Sequence, residues 1–265
     1  MKKNFKSILL FLLFVITSCL LFINDTTHKT NLYSPTNELF SPNLQKLNSI
    51  KNILIHTDSI YKSLSLTNLD TAAYVELLSD VFKKRFHHGL ANYSISQNWI
   101  AYFLGKTCWS HFSAIVNAND IIKYSEGLCS QQNIVFIKAL KNKGITYRMV
   151  SLGNKEGPGH FVIEVKYNNC WHMYDIDLEP NWSKIDFNRK SMDYLLTNKT
   201  ELFKIYENRI DKNLLKKVII KVSYTEPNIT PAKNMLFFHK FTKLITYIMP
   251  FIFLMLSLYF IKKEK

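Results

Sequence analysis

Residues 127–177 read GLCSQQNIVFIKALKNKGITYRMVSLGNKEGPGHFVIEVKYNNCWHMYDID, and the fold is decided here. Gly127-Leu128-Cys129-Ser130 opens a run in which Ile134, Val135, Phe136, Ile137, Ala139 and Leu140 cover most of a helix's girth, which predicts a buried helix. Lys138, Lys141 and Lys143 crowd its last turns, where the helix dipole favours cations. Gly144 is a natural C-terminal stop. Three strand-like runs follow, 145–152, 160–167 and 170–176, with a loop from Gly153 to Gly159 between the first two. Asn168-Asn169 suits a two-residue hairpin turn, because asparagine tolerates positive φ. The expected class is α+β, a buried helix packed on a small antiparallel sheet with helical flanks.

The hairpin carries a geometric consequence. A two-residue loop sets Tyr167 opposite Cys170, then Val162 opposite Asp175 and His160 opposite Asp177. Alternation along the strands puts His160, Asp175 and Asp177 on one face. Directly opposed and diagonal neighbours are close enough for either aspartate to reach the imidazole. Cys129 begins a helix, where unpaired N–H groups and the dipole stabilise an attacking sulfur and the oxyanion formed at a carbonyl. Taken singly, Cys129 suits a small core residue, His160 an idle strand histidine and Asp175 a turn carboxylate. Taken in this order they supply a nucleophile, a proton carrier and the carboxylate that orients it.

In that order and spacing the passage resembles the transglutaminase-like superfamily, whose core places a helix-borne cysteine before a strand histidine and an aspartate on the next strand. The matching residues are Gly127-Leu128-Cys129-Ser130-Gln131-Gln132, Lys143-Gly144-Ile145-Thr146-Tyr147-Arg148, 159–165 (GHFVIEV) and Trp171-His172-Met173-Tyr174-Asp175. The aspartate four residues after the tryptophan favours Asp175 over Asp177. The resemblance extends upstream through Asn98-Trp99-Ile100, as in envelope-associated bacterial members. It implies a transglutaminase-like (papain-like) core and a catalytic triad of Cys129, His160 and Asp175. It also implies hydrolysis or transfer of acyl groups at amide or peptide bonds, on a peptide, a protein or a cell-wall or polysaccharide-associated partner. Gln131, Gln132 and Asn133 depart from the small residues that often follow the family's cysteine, and Trp99 is the candidate for a further oxyanion donor. The alternative from another class is a non-catalytic module that binds a peptide or glycan during envelope or polysaccharide assembly.

The chain has 265 residues and a formal charge of +14, with 34 Lys and Arg against 20 Asp and Glu spread along its length. A diffuse surplus suits acidic envelope surfaces, and no recognition-helix or zinc-finger pattern argues for nucleic acid. His87-His88, His111 and His172 hold no ligand spacing with the cysteines, so neither a metal nor a cofactor is expected from sequence.

The two ends are apolar. Ile8 to Ile23 lacks a charge and follows Lys2, Lys3 and Lys6, while Leu244 to Ile261 precedes Lys262, Lys263 and Lys265. Both are expected to cross a membrane with their basic flanks cytoplasmic, which places the domain outside. Residues 1–23 form the anchor, 24–43 a tether, 44–230 the extracytoplasmic domain with its core at 98–182, and 231–265 the second membrane helix. Ile16-Thr17-Ser18-Cys19 offers a rival, a relaxed lipobox with Cys19 as the lipidated residue. Cys108, Cys129 and Cys170 make an odd external count; either all stay thiols, or Cys108 bridges Cys170 and Cys129 stays reduced.

Overall fold

The computed structural model describes residues 5–23, 38–64, 70–153 and 159–264. Most of the expected tether, the centre of the loop after Gly153 and the lysines at 2, 3 and 265 lie outside the described residues. In chain order the helices are α1 (Phe5–Leu20), α2 (Ile50–Ser63), α3 (Thr71–Arg85), α4 (Ile95–Thr107), α5 (Ala118–Ile121), α6 (Cys129–Asn142), α7 (Met192–Thr197), α8 (Lys199–Ile205), α9 (Lys212–Val218) and α10 (Lys233–Glu264). The strands are β1 (His87–His88), β2 (Glu126–Gly127), β3 (Tyr147–Leu152), β4 (His160–Tyr167), β5 (Cys170–Tyr174) and β6 (Val222–Tyr224). The fold is α+β, and contacts divide the chain into two units. One takes Met1–Lys29, Asn92–Val116 and Ala232–Lys265; the other takes Thr30–Ala91 and Asn117–Pro231.

In the first unit α10 runs for 32 residues, about 48 Å at 1.5 Å per residue, against a bilayer core of about 30 Å. Among the described residues it is the one helix long and apolar enough to cross a membrane. α1 is apolar but has only 16 residues, so the expectation of two such helices is met by one on length. The two pack antiparallel. Ser7 Oγ reaches Ser257 O at 3.3 Å, and Ser257 Oγ donates to Ser7 O at 3.0 Å, satisfying hydroxyls that are buried between the helices. The outer side chains stay apolar, with Phe237, Phe251 and Met255 more than half exposed. α4 begins at Ile95, just after Ser94, and is interrupted at Asn98 (φ −165°, ψ 78°). The buried Asn98 amide fills the break: Nδ2 donates to Thr242 Oγ1 at 2.9 Å, and Oδ1 accepts from Ala101 N–H at 3.2 Å. Trp99 lies on the same helix, its indole N–H buried and without a hydrogen-bonding partner among the described residues.

The second unit builds an antiparallel sheet in the order β5-β4-β3-β6 and packs α6 against β4. Val150, Val162, Met173, Leu195, Leu202 and Leu215 form one side of its core. Asp70 caps α3 by accepting from Ala72 N–H at 2.9 Å, as its position suggests. Gly144 ends α6 at φ +68°, in the left-handed region. Asn168 and Asn169 turn the β4–β5 hairpin at φ 50° and 60°, with Tyr167 paired to Cys170. The pairing stops at Ile163 and Tyr174, however, so Asp175 and Asp177 leave the ladder and enter a turn. Asp211 caps α9, and after that helix Val222–Tyr224 pairs with β3.

Two buried arginines brace this unit. Arg85 donates to the carbonyls of Leu47, Ile122 and Tyr124 at 3.1, 2.6 and 2.9 Å, fixing the loop that leads into α6. Burial lowers its pKa to about 10, with Glu126 opposing the shift. Arg189 pairs with Glu76 and with Glu179 (2.7 Å) and lies 4.1 Å from the Tyr174 ring, tying the segment after β5 to α3.

Candidate active site

Cys129 is the first residue of α6. The helix's first internal bond runs from Gln132 N–H to Leu128 O at 2.9 Å, so the N–H groups of Cys129 and Ser130 are not used by the helix. Three polar side chains after the cysteine fix this start. Gln131 accepts from Ala91 N–H at 3.0 Å and from Leu128 N–H at 3.2 Å, and donates to Ala91 O at 2.7 Å. Gln132 Nε2 donates to Gly127 O and to Asp177 Oδ1, both at 2.8 Å. Asn133 Nδ2 donates to Phe161 O at 2.6 Å, joining the helix to the residue beside His160. A Cβ at Gly127 would lie 3.1 Å from Gln132 Cγ, so the Gln132 side chain would have to give by a few tenths of an ångström.

His160 opens β4 opposite Leu152 and is buried. Its Nε2 meets Asp175 Oδ2 at 2.7 Å. That leaves Nδ1 as the ring nitrogen for Cys129, half-buried beside it. Asp175 is fully buried, and its carboxylate is saturated. Oδ2 also accepts from Tyr206 O–H at 2.7 Å, while Oδ1 accepts from the N–H groups of Asp177 and Leu178 at 3.2 and 3.0 Å. Burial works against charge on both partners of this pair. Against it, the Asp175 carboxylate, helped by Cys129, holds His160 well above the ordinary histidine range. The imidazole, the Leu178 N–H and the Tyr206 hydroxyl hold Asp175 below the ordinary carboxylate range. Burial and the neighbouring carboxylate push Tyr206 well above a free phenol, so it stays a donor.

No family model, no curated protein and no solved structure matches this chain. What the site can do therefore rests on its geometry.

All three sequence-predicted residues, Cys129, His160 and Asp175, converge. Asp177 does not orient the imidazole; it lies close by, bonded to His88 Nδ1 at 2.9 and 3.0 Å and to Gln132. The Asp177 hydrogen bond is the main cause that raises the His88 pKa, outweighing burial. Tyr206, Gln132, Asn133 and His88 are hydrogen-bonded around these residues in a way that the sequence did not reveal, because each partner lies 28 to 89 positions away. All four cysteines are free thiols, so no bridge links Cys108 to Cys170. An open groove of about 760 Å³ between Thr200 and Leu215 touches the site only through Tyr206.

Proposed function

We propose that this chain is a membrane-anchored, transglutaminase-like thiol enzyme that hydrolyses or transfers acyl groups at amide bonds outside the cytoplasm. One observation carries it: the buried Asp175 carboxylate engages Nε2 of His160, leaving Nδ1 for Cys129 at a helix start. Sulfur attacks the amide carbonyl as His160 holds the thiol proton, and the oxyanion meets the N–H groups at the start of α6. Collapse breaks the C–N bond, His160 gives its proton to the departing amine, and a thioester remains on Cys129. Water or an acceptor amine then attacks the thioester, again with His160 as base, and frees the sulfur. Asp175 keeps the ring in one tautomer and stabilises its charged form.

The membrane assignment is supported by α10 and by the exposed apolar face of α1 packed on it. Both helices are proposed to span. Their antiparallel contact at Ser7 and Ser257 brings Lys6 and the Lys262-Lys263 pair to one end of the hairpin, which positive charge assigns to the cytoplasm. Full-length protein in detergent, given peptide and glutamine amides with hydroxylamine as acceptor, should form hydroxamates. Cys129→Ala and His160→Ala should lose them, and Asp175→Ala should retain a weaker activity. Hydroxamate formation that persists in Cys129→Ala would sink the proposal.

A further inference from the structure

The thiol mechanism gives Asp177 no task. Its side chain is only 4% exposed, yet one of its oxygens, a ring nitrogen of His160 and Sγ of Cys129 all lie within 4.8 Å of one another. His88 and Gln132 hold this carboxylate in place beside the sulfur and the imidazole, so three donors of different chemistry face one point.

We propose that Cys129, His160 and Asp177 together bind a zinc ion that reversibly occupies the nucleophile. The donors are a sulfur, an imidazole nitrogen and a carboxylate oxygen, a set that selects zinc over the all-oxygen cations calcium and magnesium. Ligand bonds of about 2.0–2.3 Å in a tetrahedron place donors about 3.3–3.8 Å apart, a modest contraction of this cluster. Two of the three ligands already carry the outer hydrogen bonds that orient metal donors. Asp175 engages Nε2 of His160 at 2.7 Å and so aims the Nδ1 lone pair toward the sulfur. His88 Nδ1 and Gln132 Nε2 hold the Asp177 carboxylate at 2.9 and 2.8 Å. Three protein ligands leave the fourth position to water, which suits an exchangeable ion and not a structural one. The spacing of histidines and cysteines along the chain did not show the site, because its ligands come from a helix start, a strand start and a turn. Zinc binding follows from the donor set alone. The silencing of catalysis rests on the thiol-enzyme function proposed above.

Full-length, reduced protein in detergent is titrated with Zn²⁺ alone, and iodoacetamide labelling is followed by peptide mapping at each cysteine. One equivalent of zinc should slow labelling of Cys129 by about tenfold or more, leave Cys108 and Cys170 unchanged, and be reversed by EDTA. Asp177→Asn should raise the zinc concentration for half-protection by about tenfold or more, and His88→Ala by less. Labelling of Cys129 that ignores zinc would overturn the site, as would an unchanged midpoint in a folded Asp177→Asn protein. If Asp177→Asn does not fold, Cys129→Ser decides: one equivalent of zinc retained without the sulfur overturns the site. The thiol-enzyme function is judged separately, by the dependence of metal-free labelling on His160.

Discussion

Asp175 Oδ2 accepts two short hydrogen bonds, from His160 and from Tyr206, with no water-exposed edge to share the charge. Tyr206→Phe removes one donor from a buried carboxylate, and a bond of that kind is worth about 1.5–3 kcal/mol. Chemical denaturation should show a loss of that size, and an unchanged midpoint would remove Tyr206 from the site. The pair also sets a pH signature. His160 is raised in the folded state, so its contribution is complete below about pH 6.5 and fades as pH rises through the folded value. Asp175 is lowered, so its contribution is complete above about pH 4 and fades as pH falls through the folded value. The melting-temperature gap between wild type and Asp175→Asn should therefore be widest between about pH 4 and 6.5, shrinking on either side. A gap that widens steadily above pH 7 would contradict the pairing. At this scale the meeting of His160 and Asp175 near Cys129 could be anticipated, because a helix start, a strand start and the end of the next strand follow one another within 47 residues. Tyr206 could not, since residues 183–230 carry no motif and only tertiary packing brings its hydroxyl to Asp175.

At the scale of elements, α6 and the hairpin were read well because their signals are local: a buried helical girth, a glycine stop and two asparagines in a turn. Gly144 has open space where a Cβ would go, so its cost of substitution is conformational alone. Gly144→Ala should destabilise by about 1–2 kcal/mol through the positive φ, and a neutral result would mean that α6 ends differently. The end of the hairpin misled the sequence. Strict alternation carried the ladder on to Asp175 and Asp177, but the bonds of Asp175 to the Asp177 and Leu178 N–H groups replace the ladder with a turn. His160 and Asp175 still meet, through a turn and not through cross-strand pairing. The Asp211 side chain accepts at 2.9 Å from both Asn213 and Leu214 N–H and so caps α9.

For the whole molecule, the apolar ends were legible from composition, whereas the grouping of 92–116 with them was not. Contacts distant in sequence join them: the Asn98 amide bonds Thr242 and accepts from Thr246 at 3.4 Å, and His239 Nε2 meets Phe112 O at 2.9 Å. With Lys6 and the Lys262-Lys263 pair at one end of the helix pair, a reporter fused near Thr197 should report an external compartment and one after Lys265 the cytoplasm. A cytoplasmic signal at Thr197 would overturn the proposed topology and the external site with it.

The most direct test of the central claim compares cysteines within one molecule. Cys108 and Cys170 are exposed while Cys129 is half-buried, so accessibility alone predicts that Cys129 reacts last with iodoacetamide. An imidazole-activated nucleophile reverses that order. In metal-free, full-length protein at pH 6.5, Cys129 should be alkylated about tenfold or more faster than Cys108 and Cys170, and His160→Ala should abolish the difference. If Cys129 reacts more slowly than the exposed cysteines and is indifferent to His160→Ala, it is not a nucleophile.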